Sequence, residues 1–128
     1  MEVTRELVVP AAEEDVWDAL TNPERLSEWF ANDVELTVER GGEGVFRWAD
    51  GAVRRAVVDA VDERRRLVMR WWDEDEPAAV SVVTITLDEA DEGTRVRVVE
   101  TASAPFAAAE WATALELRFA FVLPEARL

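Results

Sequence analysis

The sequence predicts an α+β fold: one curved antiparallel sheet of about seven strands, two short helices after the first strand, and a long helix at the C-terminal end. Three observations predict it. The stretch from Val8 to Phe30 closes a strand and holds two helix starts, six segments of alternating apolar residues follow at hairpin spacing, and from Phe106 to Val122 the pattern changes to a helical one rich in Ala and Leu.

Each element has a local cause. Glu2 to Val9 alternates, with Val3, Leu7 and Val9 on one face. Pro10 has no amide donor and a fixed φ, so it closes the apolar run and allows a helix just beyond it. Glu13, Glu14 and Asp15 place negative charge in the first turn, where the helix dipole favours it. Val16 and Leu20, at i and i+4, form a buried stripe that Trp17 and Ala19 widen. Thr21-Asn22-Pro23 ends this helix and starts another, since Asn22 is a preferred N-cap and Pro23 suits the first helical position. Leu26, Trp29 and Phe30 then give the second helix an apolar face.

Asp33 to Arg40 alternates as a half-solvated strand, and Gly41-Gly42 and Gly44 separate it from a strand over Val45 to Ala49. Asp50-Gly51 is a hairpin signal into Ala52 to Val61. Charged turns then lead into Leu67 to Trp72, Val80 to Leu87 and Thr94 to Thr101. Six strands in this order make a meander whose apolar face requires a cover. The last segment supplies one, with Trp111, Leu115, Phe119 and Val122 near one helical stripe and Pro124 at its end. No repeat, linker or low-complexity segment divides residues 1–128, which are expected to form one domain.

The residues Pro10-Ala11, Val16-Trp17, Ala19-Leu20-Thr21-Asn22-Pro23-Glu24, Leu26 and Trp29-Phe30 resemble the opening of the SRPBCC superfamily (START-like, birch-pollen-allergen fold). Within it the chain is most similar to the homologues of the activator of the ninety-kilodalton heat-shock protein ATPase, over nearly its whole length. The resemblance implies the helix-grip layout and a hydrophobic cavity between sheet and long helix. Glu110 stands where many relatives have Gly, and the link from the seventh strand to the last helix is short. Both departures imply a helix close to the sheet and a smaller cavity.

Composition excludes more than it specifies. Against 28 acidic residues stand 14 basic ones, all Arg, for a net charge of −14. Such a surface opposes nucleic-acid binding. Arg64-Arg65-Arg66 is the only basic run and, beside Asp62 and Glu63, reads as a solvated hairpin turn. With no His, Cys, Lys or Tyr, the chain lacks an imidazole base, a thiol, an amine nucleophile and a phenol. Ser27, Ser81 and Ser103 have no triad partner. Asp73-Glu74-Asp75-Glu76 lacks the spacing of a calcium loop and reads as a solvated turn, so neither metal nor cofactor is expected. The N-terminus has no signal-peptide pattern and no apolar run approaches about 18 residues, which predicts a cytoplasmic protein without a membrane span.

Aromatic residues are the positive signal. In a helix-grip layout Trp29, Phe30, Phe46, Trp48, Trp71, Phe106 and Trp111 line either the core or a ligand cavity. By strand alternation Phe46 and Trp48 share a face, as do Met69 and Trp71, and Val83 and Ile85. Val98, Leu115 and the adaptable Met69 complete the candidate wall. Glu100 continues the series Val96 and Val98, which would place a carboxylate inward with Arg54 as candidate partner; alternatively a bulge turns it to solvent.

The leading expectation is a protein that binds an apolar small molecule: lipid-like, aromatic or polyketide-like. A chaperone-linked interaction protein is the second, suggested by the family resemblance and an acidic surface suited to a basic partner. A cyclase- or dehydratase-like enzyme with Glu100 as base and Arg54 as charge stabiliser is the third. A homodimer is compatible with all three.

Overall fold

Pro10 ends β1 (Glu2–Val9), and the chain leaves the sheet for α1 (Glu13–Thr21) and α2 (Pro23–Trp29) before returning as β2 (Asp33–Leu36). The structure is a computed structural model that describes residues 2–101. The remaining strands are β3 (Glu43–Arg47), β4 (Val53–Asp62), β5 (Arg66–Asp73), β6 (Ser81–Ala90) and β7 (Gly93–Thr101). They form one open antiparallel sheet in the order β1-β7-β6-β5-β4-β3-β2. The meander and both helices match the sequence-based expectation, and the layout is consistent with a helix grip. The long helix expected over residues 106–122 lies outside the described residues.

The helices start as the sequence dictates. Asn22 caps α2, its Oδ1 accepting from the Glu24 amide at 3.0 Å, with Pro23 in the first turn. Val16, Trp17, Ala19 and Leu20 are the buried residues of α1, which lies against β6 and β7.

Two local differences have physical causes. The strand expected to run to Arg40 ends at Leu36, because residues 37–42 fold into a tight turn. There the Glu39 amide donates to the Thr37 carbonyl, and a Cβ on Gly42 would collide with that same oxygen. The second difference lies in β4, where Val58 pairs with Met69 and Ala60 with Val68, leaving Asp59 as a bulge. The extra residue shifts the alternation by one, so Val61, opposite Leu67, packs on the inner face.

The inner face divides into two halves. One is aliphatic: Val9, Val16, Leu20, Leu67, Ile85, Leu87, Val96 and Val98 are all buried. The other holds Phe46, Trp71, Arg54 and Glu100 and adjoins α2. The aliphatic half is fastened where β1 and β7 meet. Thr94, fully buried, donates from Oγ1 to the Ala11 carbonyl at 2.7 Å, next to the turn that Pro10 makes. Gly93 sits beside it with φ +145°, and a Cβ there would strike the Val9 carbonyl oxygen.

Two substitutions test this joint. Thr94→Val keeps the shape but strands the Ala11 carbonyl, and is expected to cost about 1–3 kcal/mol in urea denaturation. Gly93→Ala meets both the strained φ and the collision, and should lower stability by more than the roughly 1 kcal/mol span of unstrained glycine replacements.

Candidate functional site

Beside α2, the inner face carries a cluster of aromatic rings whose arrangement follows from the register. Val34 lies opposite Phe46, Phe46 opposite Arg54, and Ala56 opposite Trp71. Small residues, Gly44 and Ala56, fill the next row between Leu36 and Trp71, which leaves room for large rings around them. Phe30, at the end of α2, descends onto this surface.

Phe30 stacks on Trp71 (22° between planes, centroids 6.2 Å apart) and Phe46 on Trp48 (23°, 6.4 Å). The two pairs meet at right angles, Phe30 against Phe46 and Phe46 against Trp71 both at 88°. Edge-to-face contact aligns the positive rim of one ring with the negative face of the next, so this herringbone is favourable beyond its buried area. Phe46 and Trp71 are completely buried at its centre, whereas Trp29, Phe30 and Trp48 are half-buried at its margin.

The marginal rings are held by main-chain acceptors. Trp29 Nε1–H donates to the Ala19 carbonyl at 2.9 Å, tying α2 to α1. Trp48 Nε1–H, from the residue that follows β3, donates to the Phe30 carbonyl at 3.0 Å at the end of α2. Ser27 adds a third tie, donating to Pro23 and accepting from the Val34 amide at 3.1 Å. Sequence reasoning assigned Ser27 no role; its position four residues after Pro23, on a helix followed directly by a strand, was the available signal.

Arg54 and Glu100 bring charge to this half. The Arg54 guanidinium carbon lies 4.8 Å from the centre of the Trp71 ring. This is within cation–π range, where the planar guanidinium can lie on the face of the indole. Asp73 is directly across from Arg54 in the register, but its Oδ1 accepts from the Asp75 amide at 2.8 Å and shapes the acidic turn. Glu100 faces inward and is fully buried, opposite Val3 on β1 and Val83 on β6. Arg54 and Glu100 are therefore not cross-strand neighbours: β5 and β6 separate their strands.

Among the residues expected to line the site, Trp29, Phe30, Phe46, Trp48, Arg54 and Trp71 come together beside α2. Met69, Val83 and Glu100 form the adjoining row, all fully buried, while Ile85 and Val98 lie in the aliphatic half. Phe106, Trp111 and Leu115 lie outside the described residues. Among the described residues, no group of acidic side chains is arranged to hold a metal ion, and no helix is long and apolar enough to cross a membrane.

Comparison with known proteins bears on this geometry. No curated protein matches the chain. Protein MLL2253 from Mesorhizobium loti is 26% identical with a TM-score of 0.79, covering 91% of this chain and 92% of that one. DynU16, a protein in the dynemicin biosynthetic locus, is 26% identical with a TM-score of 0.77; the match covers 91% of this chain but 47% of DynU16. The Aha1 dimer from Colwellia psychrerythraea, 17% identical, shares the fold with a TM-score of 0.78 over 93% of each chain. The family described as Activator of Hsp90 ATPase homolog 1-like protein matches residues 10–117. That span runs from the proline that ends β1 through both helices and the whole meander, and the chain belongs to this family.

Proposed function

We propose that this protein binds a small apolar molecule, aromatic or lipid-like, on the inner face of the sheet beside α2. The observation that carries the reading is the margin of the herringbone. Trp29, Phe30 and Trp48 are half-buried rings with fixed orientations, next to a guanidinium on an otherwise apolar wall. Binding sites for small molecules combine this kind of apolar surface with a few placed polar groups. The reading requires a cavity over this wall. The likeness to DynU16, named for a biosynthetic locus, supports a small-molecule role. With no His, Cys, Lys or Tyr in the chain, binding is favoured over catalysis.

Native mass spectrometry of the freshly purified full chain tests the reading. A reproducible adduct, identified after extraction, is the expected result, together with a change in Trp emission on titration with apolar aromatics. Phe30→Ala should weaken that titration about tenfold, whereas Val82→Ser, on the opposite face of the sheet, should leave it unchanged. An apo mass and flat titrations across lipid and aromatic panels would overturn it and leave the aromatic wall as core.

The family description favours a second reading, a chaperone-linked interaction protein that forms a homodimer as the Colwellia protein does. A pull-down with the cognate ninety-kilodalton chaperone, combined with light scattering of the free chain, is expected to give a stoichiometric complex and a dimer mass if that role dominates. A monomer that captures nothing would remove it.

A further inference from the structure

We infer that the ligand of this wall carries a neutral oxygen group, a carbonyl, and that the Ser81 hydroxyl donates to it; this rests on the small-molecule reading above. Ser81 opens β6 and faces inward, since it alternates with Val83, Ile85 and Leu87, all of them buried. Its cross-strand neighbour is Trp71, whose other neighbour is Ala56, so the central indole of the herringbone stands between two small residues. Only 4% of Ser81 is exposed. Residues 74–80, just before it, are exposed, which puts the hydroxyl where the aromatic half of the inner face meets the surface.

The hydroxyls of the helices and of the β1–β7 joint are used by the fold. Thr21 donates to the Trp17 carbonyl at 2.7 Å, Ser27 to Pro23 at 2.8 Å and Thr94 to Ala11 at 2.7 Å. Thr84 and Thr86, on the outer face, are only half-buried. Ser81 combines near-complete burial with a hydroxyl that has no hydrogen-bond partner among the described residues. A hydroxyl buried in this way costs free energy, and alanine would fill nearly the same space without that cost. Packing therefore gives no reason for serine here, whereas a ligand group that accepts its hydrogen bond does. A carbonyl matches it, because it accepts only and brings no donor of its own to an apolar wall. A charged group does not, because one hydroxyl returns too little to offset the desolvation of an isolated charge.

The test uses two matched pairs on the full chain: 2-acetylnaphthalene against 2-isopropenylnaphthalene, and dodecan-2-one against 2-methyldodec-1-ene. Each pair keeps its shape and exchanges C=O for C=CH2. The quantity read is the ratio of ketone to alkene affinity, from titrations of Trp emission in wild type and in Ser81→Ala; comparing the ratio between the two proteins cancels the difference in hydration between the ligands. For at least one pair the ratio is expected to fall about three- to tenfold in the variant, the range of one neutral hydrogen bond, while the alkene's affinity stays within about twofold. Urea denaturation of the ligand-free chain supplies a second readout. Ser81→Ala should unfold at the wild-type midpoint or above it, because it removes a hydroxyl that the fold does not use. A ratio unchanged by the substitution would overturn the inference and leave the small-molecule reading standing. A midpoint that falls would overturn it too, since the hydroxyl would then belong to the fold. If no member of either pair binds wild type, the small-molecule reading fails and takes the inference with it.

Discussion

The carbonyl of Phe30 is the point on which the candidate site depends. The last carbonyls of any helix lack partners within the helix, and a helix of seven residues cannot hold itself together in water. Here the partner comes from just beyond β3, where the Trp48 indole donates to that carbonyl. With Trp29 on α1 and Ser27 on β2, three side-chain bonds place α2 along its whole length. Each is worth about 0.5–1.5 kcal/mol, so together they rival the nucleation cost that a short helix must overcome. Phe30 reaches Trp71 and Phe46 only because its backbone is fixed there, and the herringbone is a consequence of that placement.

Charge is distributed with the same economy of contacts. The outer face alternates arginine with carboxylate across strands. The hydrogen bonds that Arg47 donates to Glu35 and Asp33 hold its guanidinium above its usual pKa, and those that Arg70 donates to Asp59 do the same there. These groups are at the surface, where such pairs are screened and add little to stability. Their effect is to intersperse positive charge on a surface that remains strongly negative overall. Asp59 can serve Arg70 because the bulge in β4 presents it there, so one inserted residue sets both the phase of the inner face and an ion pair on the outer one.

The fold was legible because its signals are local. Pro10, Asn22-Pro23, Asp50-Gly51 and the period-two strands each act within a few residues, and the elements begin close to where those signals lie. What escaped was set by distant partners. β2 ends at Leu36 because the turn after it, besides its own Glu39–Thr37 bond, pairs with β4 through the Gly41 amide and the Val58 carbonyl. Alternation also put Phe46, Trp71 and Glu100 on the inner face, where the structure has them, yet it could not distinguish the rings buried at the centre of the herringbone from those at its margin. Ring orientation depends on contacts between residues far apart in sequence, such as Phe30 and Trp71. Residue spacing likewise carries no information about which indole finds which carbonyl.

The two halves of the inner face answer different demands. Beside α1 the wall is aliphatic and closed by a buried threonine, which is sufficient to hold a sheet and a helix together. Beside α2 the same sheet carries rings, a guanidinium and, one row further, a buried carboxylate. Buried charge is a poor way to gain stability, because apolar residues of similar volume serve as well or better. If packing were the only demand on this half, valine and leucine would meet it as they do in the other. Arg54 over Trp71 and Glu100 between Val3 and Val83 are therefore the residues of the inner face for which packing alone gives no reason.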